Sequence, residues 1–210
     1  MLRKLVAVSM LIFIAGLLSG CVYTFDFAAE GDLTNSSGTW EQLAGTVTEF
    51  AAEDGAFLQA NTIRAPVAFT GDYTVDYYFK PVYSGGSSVE MAFSLQGDSG
   101  NFAGIKVEGF ELQASYKLEW GLPEDHIGAS LNPSVENLAD NILRLEKTGN
   151  LIIVSIDEGT AIGTIILPPG FASEYWAPEI MGNYLGSVYD DGIYISKVKV
   201  TYDYGNMMER

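Results

Sequence analysis

Alternation with a period of two runs through nearly all of the chain beyond residue 22, and it limits the possible folds more than any other feature. Tyr73, Val75, Tyr77 and Phe79 alternate with Thr74, Asp76, Tyr78 and Lys80, and Val89, Met91, Phe93 and Leu95 alternate with Glu90, Ala92, Ser94 and Gln96. Successive side chains of a strand point to opposite faces, so each run carries one apolar face and one mixed face. Further strands are expected at Phe102 to Val107, Phe110 to Leu118, Ile142 to Lys147, Leu151 to Asp157, Ile162 to Leu167, Glu179 to Tyr184 and Gly192 to Tyr204. Asn, Asp and Gly supply the backbone freedom of tight turns between them, as in Glu53-Asp54-Gly55, Asp98-Ser99-Gly100, Thr148-Gly149-Asn150 and Asp190-Asp191-Gly192. About a dozen short strands with such turns predict an all-β domain, a β-sandwich of two antiparallel sheets. Glu119 to Asp140 breaks the pattern and reads as a loop excursion, with Asn132-Pro133 capping a short helix that reaches Leu138. Thr24 to Ser37 is the one stretch that could serve as a tether, although Phe25 and Phe27 alternate as a first strand would.

Residues 1–20 have a different character. Met1-Leu2-Arg3-Lys4 is basic, Leu5 to Leu18 is an apolar run, and Ser19-Gly20-Cys21 follows. These are the three parts of a secretory signal, and the run is shorter than the roughly 20 residues a spanning helix needs. Leu18-Ser19-Gly20-Cys21 resembles the lipobox of bacterial lipoproteins. The resemblance implies a signal peptide over 1–20, cut before Cys21, and a thioether-linked diacylglyceryl group on Cys21, with a mature chain of 21–210. In a cell with two membranes, Val22 after the cysteine points to the outer one. The competing reading is an uncleaved signal anchor in which Cys21 has no role.

Composition narrows the functional classes. The 27 acidic residues against 11 basic ones give a net charge of −16. Loss of Arg3 and Lys4 with the signal would make the mature chain more acidic still. Such a surface repels phosphate polymers and anionic head groups, so a nucleic-acid partner is excluded and acyl chains must do the anchoring. One cysteine and one histidine exclude a disulfide framework and a Cys/His zinc site. The mature length suits a single domain, expected over about residues 23–204.

The order Phe25-Asp26-Phe27, Trp40, Asp54-Gly55-Ala56-Phe57-Leu58-Gln59 and Asp72-Tyr73-Thr74-Val75-Asp76 resembles concanavalin A-like, laminin-G-like jelly rolls. Asn141 to Lys147 followed by Gly149 to Gly159 resembles a hairpin of that family, and Gly192 to Val200 resembles its last strand, which returns beside the first. The resemblance implies binding of carbohydrate or another cell-surface polymer by a membrane-anchored module. Two alternatives stay open: a glycoside hydrolase or lyase of the same fold, and a structural envelope lipoprotein without a small ligand. The hydrolase branch places alternate acids on one strand, Glu-x-Asp-x-Glu, to supply a nucleophile and an acid. Here Glu90-Met91-Ala92 and Ser155-Ile156-Asp157-Glu158 depart from that pattern.

Candidate site residues follow from the mixed faces. Asp76 and Tyr78, with Glu90 and Ser94 on the next strand, combine an aromatic plate with hydroxyl and carboxylate acceptors, as a neutral sugar requires; Trp120, where a strand gives way to a loop, is a further stacking candidate. Trp176 and Tyr184 could stack in the same way, whereas Trp40 reads as core. Asp26, Asp191 and Asp203 offer hard oxygen ligands to a calcium ion, which laminin-G-like domains often carry. His126, in Pro123-Glu124-Asp125-His126, reads as a solvated loop residue, and no Gly-x-Ser-x-Gly elbow accompanies it.

Overall fold

The computed structural model describes residues 20–82, 90–108, 111–117, 125–130, 138–157, 160–182 and 192–210. In chain order the first strands are β1 (Cys21–Asp26), β2 (Thr34–Asn35), β3 (Gly38–Thr39), β4 (Glu41–Ala44), β5 (Phe50–Ala51), β6 (Gly55–Leu58), β7 (Thr62–Arg64), β8 (Val67–Phe69) and β9 (Tyr73–Val82). They are followed by β10 (Glu90–Gly97), β11 (Phe102–Glu108), β12 (Glu111–Lys117), β13 (Asp125–Ser130), β14 (Asn141–Thr148), β15 (Leu151–Ile156), β16 (Thr160–Ile166), β17 (Trp176–Met181), β18 (Gly192–Tyr202) and β19 (Met207–Glu209). Among the described residues two four-residue helices, α1 (Phe27–Glu30) and α2 (Pro169–Ala172), interrupt them.

Among the described residues the strands form two large antiparallel sheets, apart from β2 and β3, which pair only with each other. The first has the order β16-β15-β14-β9-β18-β6-β5, with β1 also against β18, and the second has β13-β12-β11-β10-β17-β7-β4, with β8 also against β17 and β19 against β8. Alternation decides which side of each sheet is dry. Tyr73, Val75, Tyr77 and Phe79 of β9 and Met91, Phe93 and Leu95 of β10 are all buried, and they meet between the sheets. Phe93 packs against Tyr77 and Phe79 with ring centroids 5.4 and 4.6 Å apart, and the Tyr77 hydroxyl donates to the Ser94 carbonyl at 2.7 Å. Burial pushes the Tyr77 phenol well above its ordinary range, so it stays a donor. Trp40 closes the core against Phe25 and Phe27, as its sequence setting predicts, and Trp176 is fully buried too, its indole N–H donating to the Phe171 carbonyl.

The first sheet takes up the chain at Cys21. Cys21 faces Tyr202 and Asp26 faces Lys197, so the last long strand does return beside the first. The expected tether is therefore structured: Phe25 lies in β1, and Asp26 caps α1 by accepting from the Ala29 N–H at 3.0 Å, which draws Phe27 into the core from a helix, not a strand. A second departure is β13. Its residues Asp125–Ser130 fall inside the expected loop excursion, yet they pair with β12, with a register shift between Gln113 and Ala114. His126 is thus a strand residue opposite Ser115. The expected helix over 132–138 lies outside the described residues except for Leu138, whose φ of 60° is left-handed.

Candidate functional site

Because β9 and β10 belong to different sheets, the mixed faces that their alternation creates point away from each other. Asp76 and Tyr78 lie on the outer face of the first sheet, and Ser94 lies on the outer face of the second. Glu90 opens β10 opposite Glu108, in that second sheet. The four residues grouped from the sequence therefore do not form one groove. A chain of alternating runs does not say whether the next run is a neighbour in the same sheet or a partner across the core. Trp120 and Tyr184 lie outside the described residues.

Asp76 has a partner already. It is 5% exposed and takes the Arg144 guanidinium in a two-point grip, Nε to Oδ1 at 2.7 Å and Nη2 to Oδ2 at 3.0 Å. Tyr78, one pleat further along, is half-buried, with the Lys197 ammonium 5.7 Å from its ring centre. Its ring borders an open hollow of about 500 Å³ with Glu53, Asp140, Asn141, Ile142, Asp157 and Ser196. Asp157 is held in place, accepting from the Ile142 N–H at 2.9 Å, and Asp140 is open to solvent.

A larger hollow, of about 600 Å³, lies on the same side beyond Lys80. Lys80 stands opposite Tyr194, forms an ion pair with Asp54, and has its pKa raised by that hydrogen bond. Phe57 and Tyr194 face each other across β6 and β18, their rings 4.8 Å apart and inclined by 41°. The Tyr194 hydroxyl donates to Glu49 Oε1 at 2.6 Å; this bond, with burial and the nearby carboxylates, pushes the phenol up to about 12. Thr46, Thr48, Gln59 and Asn61 complete the rim, with Asn61 Oδ1 accepting from the Gln59 N–H at 2.9 Å. Two aromatic plates, one pair and one single ring, thus lie along one outer face among carboxylate and amide groups.

Sequence reasoning missed Phe57, Tyr194 and Glu49, which come from β6, β18 and the segment before β5, and a bulge in β18 further hides which of its residues share a face. The register of β18 against β9 shifts between Ile195 and Lys197, so Tyr194 and Lys197, of opposite parity, share the outer face. Ile195 and Val198 are correspondingly both buried. The signal stands in the sequence, where apolar Ile193 and Ile195 change phase to Val198 and Val200. The tight turn before β6 depends on Gly55, at φ +85°: a Cβ there would lie 2.0 Å from the Ile195 carbonyl oxygen.

The acidic trio assigned to calcium is not brought together. Asp26 already caps α1 and pairs with Lys197 at 3.2 Å. It faces Lys197 at one end of the β1–β18 ladder, whereas Asp203 lies beyond Tyr202 at the other, six residues or about 20 Å away at about 3.4 Å per residue. Asp191 lies outside the described residues, and among these no cluster of three acidic, histidine or cysteine side chains could hold a metal.

No protein-family model matches the chain, and no curated protein matches it in sequence. Solved structures do match it in shape. The Emp47p carbohydrate recognition domain superposes with a TM-score of 0.62 at 14% identity over 86% of this chain and 95% of that one. The Crh5 transglycosylase, also solved in complex with NAG, gives 0.61 at 16% identity over 88% and 85% in its apo form. The carbohydrate-binding module CBM66 from Bacillus subtilis gives 0.53 at 14% identity over 75% and 94%. Identities this low speak to the fold alone, and with the two antiparallel sheets and the return of β18 beside β1 they give the chain a jelly-roll β-sandwich fold.

Proposed function

We propose that the protein is a lipid-anchored cell-surface module that binds a neutral saccharide chain on the outer face of its first sheet. The observation that carries this reading is the Phe57–Tyr194 ring pair beside Glu49, with Tyr78 further along the same face. Aromatic plates cover the apolar face of a pyranose, and fixed carboxylates and amides accept or donate to its hydroxyls without a buried charge on the ligand. Glu49, Glu53, Asp140 and Asp157 around the two hollows disfavour a polyanionic glycan. The neighbours described as carbohydrate-recognition and carbohydrate-binding domains support the same class of ligand.

Titration of the soluble domain with neutral polysaccharides tests the reading. Binding should weaken in Tyr194→Ala and Tyr78→Ala; binding unchanged in both moves the site elsewhere, and none to any neutral polysaccharide favours a structural envelope role. Leu18-Ser19-Gly20-Cys21 supports the anchoring part of this reading, in which the protein belongs to the cell envelope, at the outer membrane where there is one. Labelled palmitate should enter the wild type and not Cys21→Ala, whereas equal labelling of the two would remove the anchor from the proposal.

A further inference from the structure

The exposed apolar side chains of this sandwich are not scattered. Among the described residues the large ones are Val22, Leu43, Leu138, Leu151, Ile166, Tyr204 and Met208, and five of these seven gather at one end. Register shows which end. Cys21, Tyr202, Tyr73, Lys147, Ile152 and Ile165 form one row across five ladders of the first sheet. Leu151 and Ile166, a register pair, stand one position beyond that row, Val22 stands one position inside it, and Tyr204 lies in the turn that leaves Tyr202. Met208 follows Met207, which faces Phe69, and Phe69 packs on Tyr202 and Tyr73 with centroids 5.0 and 5.9 Å away. Leu138 is at the opposite end, its N–H donating to the Pro81 carbonyl. Tyr204 is 92% exposed and Ile166 64%, so little of this apolar area is used by the fold.

We propose that this end of the sandwich lies on the membrane surface, with Ile166 and Tyr204 entering the interfacial layer at the end that carries the lipidated cysteine. The inference rests on the lipid-anchor reading and extends it from attachment to orientation. Because β1 starts at Cys21 itself, no spacer separates the acyl chains from the sheet, and the row that contains Cys21 is held at the bilayer. A tyrosine suits the interface, where its ring is dry and its hydroxyl wet, and an apolar rim adds buried area to that of the acyl chains. Carboxylates at the same end set the lipid class. Asp203 is exposed, and Asp98, paired with Arg210 at 2.7 Å, and Asp72, accepting from the Gly149 N–H, lie in neighbouring turns. These favour zwitterionic over anionic head groups. The hollows around Tyr78 and Tyr194 then face away from the membrane.

The test uses the full chain processed in a bacterial host, with a fluorescent thiol label at Ile166→Cys, Tyr204→Cys or Leu138→Cys, in phosphatidylcholine vesicles carrying brominated acyl chains. Mass spectrometry first establishes the diacylglyceryl addition on Cys21. Labels at 166 and 204 should be quenched several-fold more than the label at 138. An acylated protein in which the three labels are quenched alike overturns this orientation while leaving the anchor intact. Absence of the acyl mass overturns the anchor and the orientation with it.

Discussion

Removing either partner of the Asp76–Arg144 pair should have unequal consequences, because the two groups are unequally buried. The Asp76 side chain is 8% exposed and that of Arg144 48%, although they are joined by two hydrogen bonds of 2.7 and 3.0 Å. Arg144→Met leaves a buried carboxylate without its donor, a loss of about 3 kcal/mol, reduced to about 2 kcal/mol by Lys199, which faces Asp76 from β18. Asp76→Asn leaves a guanidinium that can turn to water, so its cost is near that of a surface pair, about 1 kcal/mol. The double variant Asp76→Asn/Arg144→Met removes the stranded charge and should sit close to Asp76→Asn alone. Urea unfolding at constant m-value measures all three, and a loss of about 2 kcal/mol corresponds to a fall in melting temperature of about 4–8 °C for a chain of this size. Equal losses in the two single variants, or strict additivity in the double, would show that burial of Asp76 is not what makes the pair matter.

Lys147 is 1% exposed, donates to the carbonyls of Gly71 and Gly149, and has its pKa lowered from 10.5 by desolvation. A base whose folded pKa lies below its unfolded one weakens the fold while both states are protonated and is relieved as pH rises toward 10.5, so the stability of Lys147→Met relative to wild type should fall as pH rises toward 10.5 in urea titrations. Tyr73 and Tyr77, whose phenols are raised by burial, act in the opposite direction above pH 10, so the comparison is read below that pH. Gly55→Ala should cost about 2 kcal/mol or more by the same urea assay, since φ is +85° and the new methyl meets the Ile195 carbonyl. It should also weaken saccharide binding by displacing β6, which carries Phe57.

How much of this was legible in the sequence follows from what period-two patterning encodes. It gives the faces of long strands, so β9, β10, β14, β15 and β18 were found within a few residues at their ends. It cannot reveal strands of two to four residues such as β4, β5 and β7, whose pairing is set by neighbours far along the chain, nor β13, which lacks a continuous apolar face in Asp125-His126-Ile127-Gly128. Tyr78 was found as a surface aromatic because a single strand dictates its direction. Its true neighbours Ser196, Asp157 and Glu53 come from three other segments and one bulge, and nothing local announces that they converge. Asp76 was legible as facing outward but not as paired, since Arg144 is 68 residues away.

Tyr194 separates two ways in which the proposed site could hold a sugar. Its ring forms a plate with Phe57, and its hydroxyl is given to Glu49 at 2.6 Å, so the phenol is both a stacking surface and the group that fixes a carboxylate. Tyr194→Ala removes both roles and should weaken binding of a neutral oligosaccharide about tenfold, the equivalent of about 1.4 kcal/mol, which lies within the usual range for an aromatic contact. Tyr194→Phe keeps the plate and frees Glu49, which is exposed and can be hydrated. It should therefore retain most of the affinity if stacking dominates, while losing selectivity among sugars that differ in the position of one hydroxyl. The pKa near 12 means that the wild-type phenol stays protonated across the physiological range, so affinity should show no tyrosine titration below pH 10. Calorimetric titration of the three proteins with the same oligosaccharide measures these differences. Equal losses in Tyr194→Ala and Tyr194→Phe would transfer the binding energy from the ring to the carboxylate that its hydroxyl orients, and Glu49→Gln would then have to reproduce the loss.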